Sequence, residues 1–152
     1  MVSCKVKYTF SGADIGEAKT LSVGYIQNKA SLVSLTLSNT FTEALKDKFS
    51  KETPLALVQQ DGDLQFSGII TDYSIAPSAL QGSLGAATNR LSIRAKIKFE
   101  NKLEPKKNFE QEFSSFQDFD ANASFSTVEN DLVAKITQNM VQDIFTKAVI
   151  NW

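Results

Sequence analysis

Asn89 to Glu100 reads NRLSIRAKIKFE, an alternation without a break. Leu91, Ile93, Ala95, Ile97 and Phe99 share one face, and Arg90, Ser92, Arg94, Lys96 and Lys98 share the other. Successive side chains on a strand point to opposite faces, so this stretch predicts a half-buried strand, apolar beneath and cationic on top. After a polar connection, Phe109 and Phe113 alternate against Glu110 and Glu112, predicting an antiparallel partner strand. Phe116 falls out of step with Phe113, which predicts a bulge near Ser114–Ser115. Lys5–Phe10 and Lys19–Ile26 alternate over shorter spans, the second with Leu21, Val23 and Tyr25 inward. Two further strands, Leu55–Gln60 and Asp63–Ile75, flank Asp61–Gly62, a dipeptide that favours a two-residue hairpin turn.

Helical spacing governs two segments. Leu37, Phe41, Leu45 and Phe49 recur every four residues, as an amphipathic helix requires, which predicts a helix over 34–51. Ser34 or Thr36 is placed to cap its start, and Thr53–Pro54 closes it. Val128, Leu132, Ile136, Met140, Ile144 and Ala148 repeat in the same way, with Val133, Val141, Phe145 and Val149 widening the stripe. Ser126 and Glu129 have capping-box spacing, which predicts a helix over 127–150. Both stripes need an apolar surface to cover. The expected fold class is therefore α+β, a two-layer sandwich of a mostly antiparallel or mixed β-sheet with two long helices on one face. Pro77–Thr88 is rich in small residues and reads as a surface loop. No repeat or linker divides residues 1–152, which read as a single domain.

Composition narrows the chemistry. The 152 residues contain no His and one Cys, and the net charge is −1. Ser-His-Asp and Cys-His catalysis, histidine metal sites and thiolate zinc cages are excluded. Asp61 and Asp63 lack the remaining ligands of a calcium loop. We expect no enzyme, no cofactor and no metal. A nucleic-acid-binding role is also set aside, because the polar strand face offers Arg, Lys and Ser rather than stacking aromatics. No apolar run reaches the roughly 20 residues of a membrane-spanning helix.

Cys4 follows Ser3, a small residue of the kind that precedes the acylated Cys of a bacterial lipoprotein; a free thiol is the alternative. With Phe99 opposite Phe109, Lys98 lies across from Glu110, Lys96 from Glu112 and Arg94 from Ser114. That register leaves Arg90 and Arg94 without acidic partners, and they lead the candidates for contacting anionic groups.

In order and spacing, these segments resemble the LptE family of lipopolysaccharide-assembly lipoproteins. The resemblance runs from Cys4 through Thr20–Tyr25, Phe41–Phe49, Asp61–Ser74, Asn89–Phe99 and Asn108–Phe119 to Val141–Trp152. The absence of a signal segment ahead of Cys4 implies a longer precursor. The resemblance implies an outer-membrane lipoprotein facing the periplasm, anchored through Cys4. Its implied partners are an LptD-like outer-membrane β-barrel, which it plugs and helps to fold, and lipopolysaccharide itself. Arg90, Arg94, Lys96 and Lys98 are the candidate contacts. The rival reading is a generic envelope lipoprotein serving as a scaffold or apolar-ligand carrier.

Overall fold

The computed structural model describes residues 13–32, 34, 36–78 and 87–150. Cys4, the expected strand Lys5–Phe10 and most of the Pro77–Thr88 stretch lie outside the described residues. In chain order the elements are β1 (Thr20–Val23), β2 (Gln27–Asn28), α1 (Leu37–Glu52), β3 (Ala56–Leu57), β4 (Leu64–Ser78), β5 (Thr88–Asn101), β6 (Phe109–Asp120) and α2 (Phe125–Val149). Pro77, Ser78 and Thr88, expected in a loop, belong to the ends of β4 and β5.

The expected α+β fold is observed. Among the described residues, one mixed sheet of six strands runs in the order β3-β1-β4-β5-β6, with β2 pairing with β4 further along. The strands β4, β5 and β6 form a long antiparallel meander, whereas β1 lies parallel to both β3 and β4. The β5–β6 register is the expected one, Phe99 opposite Phe109 and Lys96 opposite Glu112, and it continues without a shift to Thr88 opposite Asp120. There is consequently no bulge at Ser114–Ser115. Phe116 simply belongs to the outer face and is 49% exposed. The irregularity lies in β4 instead, between Ile70 and Asp72.

The Asp61–Gly62 hairpin does not form, because β1 lies between β3 and β4. Leu57 and Leu64 both pair with Leu21, one on each side of it. Residues 58–63 must therefore cross β1. Asp61 adopts positive φ (59°), and Gly62 donates its N–H to Ser22 Oγ at 3.2 Å. A Cβ on Gly62 would stand 2.5 Å from the Ser22 nitrogen, so glycine is required here by close approach rather than by turn geometry. Asp63 completes the crossing. Its carboxylate accepts the Lys19 and Thr20 N–H groups at 2.9 and 3.3 Å, which holds its pKa below the usual value.

Strand β1 also ends earlier than expected. Four residues lead from Val23 to Gln27 where the pairing on β4 advances only three, from Phe66 to Ile69. The extra residue turns Tyr25 outward, 60% exposed, and buries Ile26, whose N–H donates to Thr42 Oγ1 at 3.0 Å.

Both helices lie over the apolar sheet face. Leu37, Phe41, Leu45 and Phe49 are fully buried, as are Ile136, Met140 and Ile144. A line of Phe rings stitches the layers together. Phe145 to Phe49, Phe49 to Phe66, Phe66 to Phe99 and Phe99 to Phe109 have centroids 5.0, 5.0, 4.9 and 5.3 Å apart. Contacts at such spacings add to the stabilisation from burying the rings. The cap expected from Thr36 makes no side-chain bond, although the helix does follow it. The Ser126–Glu129 capping box is also absent. Phe125 packs on Phe119 (5.7 Å) and draws the start of α2 forward, and Glu129 instead accepts the Tyr73 hydroxyl at 2.6 Å. Burial and this bond raise the Tyr73 pKa above its ordinary value.

Two stability outcomes follow from this packing. Gly62→Ala forces the crossing loop off β1 and should lower unfolding free energy by about 1–3 kcal/mol in denaturant titration. Ile136→Asp or Ile144→Asp places an unpaired charge beneath the helices and should cost about 3–5 kcal/mol; a variant melting with the parent would contradict the packing of α2 on the sheet.

Candidate functional site

The face of the sheet opposite the helices carries the candidate residues. On β5, alternation sends Arg90, Ser92, Arg94, Lys96 and Lys98 outward. On β6 it sends Glu110, Glu112, Ser114, Phe116 and Asp118 to the same side. All four predicted cations therefore share one surface.

Their partners differ from expectation in a consistent way. Arg90 stands directly opposite Asp118 and binds it through two donors, Nε to Oδ1 at 2.8 Å and Nη2 to Oδ2 at 3.2 Å. Its guanidinium also stacks 3.9 Å from the Phe116 ring centroid. Arg94 pairs with Glu112 at 3.5 Å, and Lys96 pairs with Glu110 at 2.9 Å, each one step diagonal to the residue directly across. Strand twist makes such diagonal neighbours accessible to long side chains. Lys98 turns to Glu100 on its own strand, at 2.9 Å. The expectation that Arg90 and Arg94 lack acidic partners is thus corrected. For Arg90 it failed because a bulge at Ser114–Ser115 would have displaced Asp118, whereas the real ladder delivers it opposite Arg90; for Arg94 it failed because only the residue directly across, Ser114, was weighed and not the diagonal Glu112.

Electrostatics follow the geometry. Hydrogen bonding to Arg90 holds the Asp118 carboxyl below its usual range, and hydrogen bonding to Lys96 does the same for Glu110. Reciprocally, Glu110 raises Lys96 and Glu100 raises Lys98. The surface is a ladder of matched charges rather than a bare basic patch. The rungs are unequal in strength. The side chains of Arg94, Lys96 and Lys98 are 53, 55 and 51% exposed, and among the described residues each makes one ion pair. Exposed pairs of this kind contribute little to stability, so an incoming anion can replace the carboxylate at small cost. Arg90 is less exposed, doubly bonded and stacked, which makes it a fixed post beside the exchangeable positions.

Asp72, Ser92, Arg94, Ser114 and Phe116 line a shallow hollow in this face, next to the irregular step in β4. Asp72 and Asp118 were not singled out from sequence, and Phe116 was singled out only as the sign of a bulge and not as a site residue. Extending the period of two past Ser114 would have found the last two. Among the described residues, no three His, Cys, Asp or Glu side chains are grouped to hold a metal ion, and no helix is long and apolar enough to cross a membrane.

The LptE family, described as lipopolysaccharide-assembly, matches residues 18–148, and the chain belongs to that family. No curated protein sequence matches it. Several solved structures share its fold. A minor lipoprotein from Acinetobacter baumannii has a TM-score of 0.55 at 14% identity, covering 86% of this chain and 91% of that one. A hypothetical protein from Chlamydia trachomatis has a TM-score of 0.61 at 8% identity, covering 86% and 98%. An uncharacterized lipoprotein B from Nitrosomonas europaea has a TM-score of 0.56 at 14% identity, covering 95% and 88%.

The Arg90–Asp118 pair has a pH signature. A carboxyl with a depressed pKa supports the fold above its unfolded pKa and loses that support as pH falls through the folded value. Side-chain NMR titration should find Asp118 titrating below 3.8, and Arg90→Gln should return it toward that value. Identical titrations in both proteins would contradict the pairing.

Proposed function

We propose that this chain is the lipid-anchored LptE-type component of an outer-membrane lipopolysaccharide translocon. Cys4 carries the acyl groups, and the folded part faces the periplasm. It occupies the lumen of an LptD-like β-barrel, assists the folding of that barrel and contacts lipopolysaccharide during its delivery to the outer leaflet. It performs no catalysis. The observation that carries this reading is the family match over residues 18–148. The lipoproteins among its structural relatives are in keeping with acylation at Cys4.

The open sheet face suits such a role. Arg94, Lys96 and Lys98 can exchange their carboxylates for the anionic groups of a glycolipid or for acidic side chains of a barrel wall, while Arg90 and Phe116 hold the rim of the hollow.

Two measurements test this reading. Full-length protein purified from its native membranes should retain a large outer-membrane β-barrel and show diacylglycerol on Cys4 by mass spectrometry. An unmodified thiol on soluble periplasmic protein without a barrel would contradict it. Arg94→Glu combined with Lys96→Glu should leave the melting temperature nearly unchanged and weaken lipopolysaccharide binding by roughly tenfold. The loss should be greatest at low ionic strength, where screening is least.

A further inference from the structure

We propose that the hollow lined by Asp72, Ser92, Arg94, Ser114 and Phe116 is a sugar-binding subsite, which seats one hexopyranose ring of a glycolipid rather than its phosphate. This rests on the reading of the charged sheet face as the surface that meets lipopolysaccharide, and it gives that surface a second chemistry. The hollow exists because short side chains meet across three strands. Ser74 lies opposite Ser92, and Ser114 lies opposite Arg94, in outward-facing rows. Strands about 4.8 Å apart and rows about 6.8 Å apart leave a floor of roughly 10 by 7 Å. That is the footprint of one six-membered ring with its hydroxyls, not of an extended chain.

The irregular step in β4 supplies the acceptor. Pairing passes from Ile70 opposite Ala95 to Asp72 opposite Arg94, so β4 uses one residue more than β5. In an unbroken ladder Thr71 would stand opposite Arg94, and Asp72 would fall opposite Ile93, which is fully buried on the helix side. The extra residue turns the carboxylate to the open face, and the Thr71 hydroxyl donates to the Arg94 carbonyl at 3.2 Å across the step. Bulges re-aim side chains in this way beside functional sites. Although Asp72 lies directly across from Arg94, the guanidinium pairs with Glu112 instead. Among the described residues the Asp72 carboxylate takes the Ser74 hydroxyl on Oδ2 at 3.0 Å, and it keeps further acceptor capacity.

Each lining group suits one feature of a sugar. A sugar hydroxyl both donates and accepts; Asp72 accepts, Arg94 donates, and Ser92 and Ser114 do either. Phe116 is 49% exposed, and Arg90 Cζ lies 3.9 Å from its centroid, which holds the ring in place. The C–H groups on the less polar face of a pyranose are attracted to the negative face of an aromatic ring. A phosphate is disfavoured in the hollow itself, because carboxylates outnumber cations around it: Asp72, Glu112 and Asp118 against Arg90 and Arg94. The next outward cation along β5 is Lys96, one row beyond, where an anionic group carried on the ring would meet it.

NMR tests the subsite, with the phosphate-free glycan released from lipopolysaccharide of the same cells as the probe. Saturation of the protein should transfer to the pyranose ring protons, and the glycan should shift the amides of Ser92, Arg94 and Ser114, whereas inorganic phosphate should not. Phe116→Ala and Asp72→Asn should each weaken glycan binding by roughly tenfold. Ser114→Leu fills the hollow while leaving every charge in place, and it should abolish binding. Should Ser114→Leu misfold by its amide spectrum, the other two variants carry the comparison. Intact lipopolysaccharide that binds the parent while the phosphate-free glycan does not would overturn the subsite and leave the translocon reading standing. Failure of both ligands would overturn the subsite and count against that reading as well. Glycan binding unchanged in the variants, or inorganic phosphate shifting the same amides, would also overturn the subsite.

Discussion

The whole structure depends on the alternation of β5. This strand is paired along its length on both sides, so its register fixes β4 and β6 together. A slip of one residue would carry Arg90, Arg94, Lys96 and Lys98 beneath the helices and expel Leu91, Ile93, Ile97 and Phe99. Burying even one unpaired charge costs a large part of a small protein's stability, so the register has no near competitor. Gly68 supports it from β4, where a Cβ would collide with the Lys96 carbonyl. Once β5 is fixed, the Phe line sets the depth at which α1 and α2 settle.

The two faces of the sheet acquire different roles from this one constraint. The helix-covered face is fully committed to packing. The other face carries rows of opposite charge whose bonds are mostly single and exposed, and which can be traded for contacts with a partner. A surface whose charges are matched at home resists non-specific association yet remains able to exchange rungs with a complementary anion. That property suits a member of a lipopolysaccharide-assembly family better than a strongly basic patch would, since such a patch attracts any polyanion.

Local periodicity made much of this legible in the sequence. The alternation of Leu91 to Phe99, the stripes of Phe41 to Phe49 and Leu132 to Ala148, and the pairing of Phe99 with Phe109 are all short-range patterns, and the structure has them. What escaped was non-local. Nothing near Asp61–Gly62 signals that a distant strand will insert between β3 and β4, so the dipeptide reads as a hairpin turn. Glu129 has the spacing of a cap, but Tyr73, distant in sequence and adjacent in space, takes it first. At the candidate site the outward position of all four cations was readable. Asp118 was missed because Phe116 was assumed to belong to the core, and one exposed aromatic was enough to misplace every residue after it.

In the proposed role, the charged sheet face, rather than the helical face, meets the partner. A photo-crosslinking amino acid placed at Lys96 and, separately, at Lys135 on the exposed side of α2 would test it in living cells. A crosslink from position 96 to an outer-membrane β-barrel protein or to lipopolysaccharide is expected, and little from position 135. Crosslinks from 135 with none from 96 would contradict it.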